Sequence, residues 1–540
     1  MKFFTEYLWH TLKNHPWITM ILAVLAQTWF TLNNRALWFS DEVRYADAYR
    51  NLAEHGHWMV LALNGQAYPD KPPVYFWFLW LLDKLTPADP PTVFFLGAAL
   101  SGLMLLAAAY KLARTLEFGR SVSLAAVLLL LSNFFLAGLF HYSRMDLMFA
   151  ALIILSHACF FRAAQSDNPG RLPLWGFLLA GVATLVKGPL GFLFPLLTLA
   201  VYLIWKGEPR KLFTRAMGKG LAAMLGLLVL WIVGVIAVKG PGFLLHTVLG
   251  HQILERATHT FHHREPLQYY FIALPLAWLP WTLFLVAAPV AKMLSPTRLG
   301  GLWAGRKTAG ARSFLWIMFL TTFILLSSLS GKVLIYILPM FPALAILTAE
   351  ALFRFAPEKT GRFWKAVAGL WIILGLALIV GGDFLPFPVP VHGLGLSACI
   401  LLIGGAAIYT ASRHGNRSAL LASTLAVIVW LYPVGLLVAP SLDNAMSPRR
   451  QALIIGQYAD KGYTPMAFRV YSGIFTWYAG HDLAETDSSA KLNEWLAQTD
   501  KAVLSVRKSH YEEWKDKPAG LTIIDEQNIA GMDFLIVLKQ

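Results

Sequence analysis

The chain has 540 residues, of which 57% are hydrophobic and only 14% charged, with a formal net charge of +15. Soluble domains carry about one-quarter charged residues, so this composition argues against a soluble domain and for a polytopic membrane protein. Both cysteines, Cys159 and Cys399, fall in apolar runs and read as packing residues rather than a disulfide or metal site.

Runs of roughly 17–25 apolar residues are long enough to cross a bilayer. Thirteen are predicted, at 17–36, 93–112, 121–140, 145–163, 172–187, 189–205, 219–238, 268–291, 313–329, 333–352, 364–382, 396–411 and 418–438. The block 172–205 is divided at "KGP". No small-residue cleavage site follows the first span, which therefore reads as retained rather than as a signal peptide. The apolar run 74–82 is too short to cross and is predicted as an interfacial or re-entrant helix.

Placing the N-terminus in the cytoplasm puts the basic clusters of 111–120, 162–171, 206–219, 292–312, 354–365 and 413–417 on the inner side. That is the positive-inside pattern. It accounts for much of the net charge, so no nucleic-acid partner is needed. An odd number of spans puts the C-terminus outside. The transmembrane part is then 1–440, with outer loops 37–92 and 239–267, and 441–540 is a periplasmic α/β domain of mixed polar composition. Within it "ALIIGQYA", "MAFRVYS", "AVLSV", "LTIID" and "DFLIVLK" read as strands, and "SSAKLNEWLAQ" and "SHYEEWKD" as helices. It holds no phosphate-binding glycine loop and no nucleophile elbow, and reads as a structural or partner-binding cap.

The outer connections, with "FHYSRMD", "VKGP" and "SGKVLIY", gather Asp41, Glu42, Arg44, Asp70, Lys71, Asp146, Lys187, His251, Arg256 and Lys332 on one side. Ionisable groups at membrane depth are costly and mark functional sites by default. Lys and Arg stabilise a leaving phosphate, and a carboxylate takes the proton of an attacking hydroxyl. Together they suit transfer from a polyprenyl-phosphate-linked sugar through an oxocarbenium-like state, and one carboxylate opposite the leaving group implies inversion. The lipid chain of such a donor explains so apolar an enzyme.

Residues 40–77, "SDEVRYADAYRNLAEHGHWMVLALNGQAYPDKPPVYFW", resemble the first outer loop of the aminoarabinose transferase family. That family lies in the GT-C superfamily of polyprenyl-phosphate-dependent glycosyltransferases, with the protein O-mannosyltransferases. The likeness extends to "YSRMDLM", "LVKGPLG" and "GKVLIYILPMFPALA". It implies a helical GT-C fold of about thirteen spans with a small outer α/β domain. It implies an undecaprenyl-phosphate donor, lipid A or another envelope glycan as acceptor, and surrounding membrane lipids, in the bacterial inner membrane. By resemblance, Asp41 is the catalytic base and Asp146 the second acid. Lys71, Arg256 and Tyr336 likewise serve the donor phosphate. From their place on the charged outer face, Lys187 is expected to join them, and Glu42, Arg44, Tyr45 and Lys332 to position substrate. Asp70 and His251 match a possible divalent-metal pair, although the family commonly has Glu where this chain has Asp70. The histidines of "HTFHHRE" match no strong zinc signature.

Plainer readings accompany each residue. Asp41 and Glu42 also suit a helix start after Ser40, with Glu42 paired to Arg44 or Arg50. Asp146 also suits a pair with Arg144 or Arg120. Lys71, Lys187 and Lys332 also suit helix-end or snorkelling lysines. Two helices of the first loop are expected to lie flat on the outer leaflet over the cavity, with loop 239–267 as a lid. The rival classes are a protein O-mannosyltransferase-like enzyme, a lipid-linked sugar transporter or flippase, and a non-catalytic assembly protein.

Overall fold

A computed structural model describes residues 2–243, 265–286, 300–301, 303–308 and 310–540. The chain is a polytopic α-helical membrane protein with a small C-terminal sheet. Among the described residues, eight helices are long and apolar enough to cross a membrane, and four shorter apolar helices accompany them. Twelve of the thirteen predicted spans coincide with these apolar helices, that of 121–140 broken, and the described part of the span 268–291 holds two short helices, Tyr269–Ala277 and Trp281–Val286.

The first half is a run of antiparallel helices. α1 (Lys2–Asn14) and α2 (Pro16–Thr28) lead into α3 (Asp41–His55) and the short α4 (Val74–Leu85). Then come α5 (Pro90–Thr115), α6 (Arg120–Leu131), α7 (Phe134–Leu139), α8 (Asp146–Ala164), α9 (Leu172–Lys187), α10 (Leu190–Lys206) and α11 (Arg215–Lys239). α8 packs against α5, α9 and α10, and sixteen of its nineteen residues are buried. The site-side ends of these helices carry Asp146 and Lys187, and the opposite ends carry Arg114, Arg120, Arg162 and Lys206.

The predicted span 121–140 is broken at Ser132 and Asn133. Asn133 Oδ1 accepts from Leu136 N at 2.8 Å, capping α7, and its Nδ2 donates to the Ala277 and Leu279 carbonyls, both at 2.9 Å. Those carbonyls lie at the break in the second interrupted span, after the helix Tyr269–Ala277. One asparagine thus satisfies backbone groups freed at both breaks, as apolar surroundings demand.

The C-terminal sheet comprises β3 (Thr464–Phe468), β4 (Ala484–Thr486), β5 (Ala502–Arg507), β6 (Leu521–Ile529) and β7 (Met532–Lys539), in the order β4-β3-β5-β7-β6. β3 is parallel to both β4 and β5, and β7 is antiparallel to β5 and β6. One face packs Met466, Phe468, Leu504, Val506, Leu535 and Val537 against the helix Ser489–Gln498. "ALIIGQYA", expected as a strand, is instead part of the helix Arg449–Ala459. Its buried Ala452, Ile455 and Gly456 follow helical spacing, which the run of apolar residues disguised.

α3, expected on the outer leaflet, is mostly covered by protein. Ten of its fifteen residues are buried, against α4, α5, the hairpin β1 (Ala62–Leu63) and β2 (Gln66–Ala67), and the helix Thr476–Ala479. "LNGQ" makes the hairpin: Leu63 faces Gln66 across Asn64 and Gly65, at φ +50° and +69°. This is the backbone that a two-residue Asn-Gly turn requires. Asn64 then exchanges two 2.7 Å hydrogen bonds with the backbone of Leu483, fastening the first loop to the C-terminal region.

Candidate active site

Asp41 opens α3, where Ser40 makes no side-chain cap. Its carboxylate meets Arg144 Nη1 at 2.7 Å. Arg144 Nε donates to Asp146 Oδ2 at 3.1 Å, and the other oxygen of Asp146 is paired with Lys187 Nζ. Lys187 Nζ lies 4.3 Å from the ring centroid of Tyr336. Residues far apart in sequence therefore form one chain of alternating charge, Asp41–Arg144–Asp146–Lys187, ending on an aromatic face. Beside its far end is a small recess between Phe149, Leu190, Phe194, Ile335 and Tyr336.

Local sequence builds each link. Asp146 lies in the first turn of α8, where a carboxylate is favoured by the helix dipole. "VKGP" ends α9 on Lys187, turns at Gly188 with φ +106°, and starts α10 after Pro189. Gly191 lets α10 close on α9, since a Cβ there would meet Thr184 N at 2.3 Å. Tyr336 sits in the short helix Leu334–Met340, whose entry is held by Tyr270 Oη at 3.1 Å from the Val333 carbonyl.

The adjacent acids of "SDEV" have different roles. Glu42 is enclosed: Arg35 grips it with two hydrogen bonds at 2.7 and 2.9 Å, and the amides of Trp38 and Ser143 donate at 2.9 and 2.8 Å. It pairs with Arg35, and not with Arg44 or Arg50 as expected. Arg50 instead holds Asp47 at 2.9 Å and Asp482 at 2.6 Å. Asp41 keeps 25% of its side chain exposed, against 3% for Asp146 and none for Glu42. Of these three acids only Asp41 is open to an incoming group.

Arg44 stacks on Tyr68 at 5.3 Å and donates through Nε to the Ser472 carbonyl at 3.0 Å. The charges of Asp41 and Asp70 both act on it, so it links the start of α3 to the "YPDKPP" segment. Tyr45 is buried edge-on to Phe76 at 5.6 Å, and burial together with the Asp41 charge pushes its hydroxyl pKa well up. Lys71 borders a second recess with Tyr68, Trp231, Val235 and Phe243. Lys332 is spent on two backbone carbonyls, of Glu265 at 2.8 Å and Leu329 at 2.6 Å, which favours the helix-end reading over substrate positioning. His251, Arg256, the three histidines at 259–263 and most of the expected lid lie outside the described residues. Among the described residues no group of three or more His, Cys, Asp and Glu gathers. Asp70, the other member of the expected metal pair, lies in the field of Arg44.

Arg144, the centre of the charge chain, was not selected from sequence as a site residue. Its signal is an arginine two places before an acid at a helix start, within "SRMD". Arg35 was also missed; its guanidinium is sandwiched between Trp38 at 4.2 Å and Phe95 at 4.7 Å.

Residues 70–236 match the profile of the dolichyl-phosphate-mannose-protein mannosyltransferase family. The chain is 27% identical over 454 residues to an undecaprenyl phosphate-alpha-4-amino-4-deoxy-L-arabinose arabinosyl transferase of Sodalis glossinidius, covering 82% of this chain and 76% of that one. A namesake from Aeromonas salmonicida is also 27% identical, with 75% of each chain covered. Among solved structures, ArnT from Cupriavidus metallidurans bound to undecaprenyl phosphate superposes with a TM-score of 0.77 at 19% identity, over 97% of this chain and 98% of that one. Its apo form gives 0.74 at 20% identity, over 97% of both chains. In fold throughout, and in sequence over most of its length, the chain resembles the undecaprenyl-phosphate-aminoarabinose arabinosyl transferases.

Proposed function

We propose that the chain is an inverting glycosyltransferase. It moves a sugar from an undecaprenyl-phosphate-linked donor to lipid A or another envelope acceptor. The N-terminus is cytoplasmic, and the site and C-terminus face the periplasm of a bacterial inner membrane. The observation that carries this reading is the charge chain, which leaves Asp41 as the accessible acid while Arg144 and Lys187 neutralise Asp146. Retention by a covalent intermediate needs a second free carboxylate, and neither Asp146 nor Glu42 is free.

Asp41, aimed by Arg144, accepts the proton as the acceptor's oxygen attacks the anomeric carbon. The bond from that carbon to the phosphate oxygen breaks, and the lipid phosphate departs. Lys71, Arg256 and Tyr336 are assigned to that phosphate, and Lys187 to Asp146 first and the phosphate second. Arg44 and Tyr45 fix the start of α3. The apolar sides of the Lys71 recess suit the polyprenyl tail. Residues 1–440 form the membrane unit and 441–540 the unit that closes its outer face.

The names of the relatives support this donor and sugar, and the mannosyltransferase profile favours a polypeptide acceptor as the second reading. Purified protein, undecaprenyl-phosphate-linked radiolabelled aminoarabinose and lipid A test the choice. Labelled lipid A with inverted anomeric configuration is expected, as is its loss from envelope-lipid mass spectra of cells lacking the chain. Transfer only to polypeptide, or no transfer, would contradict the proposal.

A further inference from the structure

Tyr471 and Arg507, both in the C-terminal region, reach the segment that opens α3 through Phe39 and Arg44. Phe39, two residues before Asp41, packs its ring 6.1 Å from Tyr471 and 6.5 Å from Phe534. Arg507 closes β5 opposite Phe534 and lies 5.1 Å from the Tyr471 ring and 5.8 Å from that of Phe534. Ser472, next to Tyr471, is the residue whose carbonyl Arg44 holds at 3.0 Å. Tyr471 is 45% exposed. Among the described residues Arg507 makes no ion pair, and its buried Nε has no hydrogen-bond partner. The neighbouring Lys508, by contrast, is spent on Glu526 at 2.8 Å.

A half-exposed tyrosine beside a guanidinium that has no carboxylate partner suits a sugar that carries an anion: the ring packs on the sugar's C–H face, and the fork of N–H groups matches a phosphate. We infer that Tyr471 and Arg507 form an acceptor-specificity shelf at the mouth of the Asp41 site, which seats the phosphorylated sugar headgroup of an anionic glycolipid. This rests on the transferase reading above and deepens it, because it assigns acceptor choice to the C-terminal region.

The test compares wild type, Arg507→Gln and Tyr471→Ala with lipid A bearing two phosphates or one. Loss of a charge-assisted contact should raise the acceptor KM about tenfold or more for the doubly phosphorylated lipid. The donor KM should stay unchanged, and the preference between the two lipids should shrink. Tyr471→Ala, at an exposed position, guards against misfolding of the arginine variant. An unchanged acceptor KM in both variants, or equal rises in donor and acceptor KM, would overturn the shelf. If wild type transfers no sugar, the transferase reading fails, and direct binding decides. Retention on doubly phosphorylated lipid A that Arg507→Gln abolishes still supports the shelf, and equal retention overturns it.

Discussion

At the scale of single residues, adjacent acids diverge because their neighbours differ. Glu42 is saturated by four donors, while Asp41 shares Arg144 and meets solvent. Glu42→Gln should therefore damage folding, leaving the Arg35 guanidinium buried without its anion at about 3–5 kcal/mol. Thermal unfolding in detergent checks this, and a double Arg35→Met, Glu42→Met variant should recover much of the loss. Arg144→Lys should lower kcat, since one ammonium cannot span two carboxylates as a planar fork does. Its donor KM should change little, and steady-state kinetics separate the two effects.

At the scale of elements, the turn between α7 and α8 carries both Arg144 and a sensor of acidity. His141 Nδ1 lies 2.7 Å from Thr31 Oγ1, and burial together with the Arg35 cation lowers its pKa to about 3. The folded state thus favours the neutral ring. Its stabilisation is full above the unfolded value of about 6.5 and is lost as pH falls from there towards 3. Melting curves at stepped pH should show stability falling over that window, and His141→Gln should flatten the fall. Much of this element structure was legible: apolar run length marked the spans, and "VKGP" marked the turn that delivers Lys187. The break at Asn133 was not, because its partners at Ala277 and Leu279 are distant in sequence. The helix Arg449–Ala459 was misread because a short apolar run fits either period.

At the scale of the whole molecule, charge asymmetry and the 40–77 block pointed to one charged outer face, but not to who pairs with whom. The C-terminal region reads as a structural or partner-binding cap, and it meets the segment around the start of α3 and the first loop through Asp443 on Ala36 and Trp38, Tyr478 on Leu37, and Leu483 on Asn64. Such contacts depend on surfaces far apart in the chain, and no local pattern announces them. Asn64→Ala should strand both backbone groups of Leu483 and cost about 1–3 kcal/mol, seen as faster proteolysis between the two regions.

The central claim is that Asp41 acts on the incoming acceptor while cations hold the donor. Transfer of labelled sugar by Asp41→Asn, measured beside equilibrium binding of the undecaprenyl-phosphate donor, tests it most directly. Turnover should fall about 10²–10⁴-fold with donor affinity preserved. Near-normal turnover in that variant, or loss of donor binding in step with turnover, would contradict it.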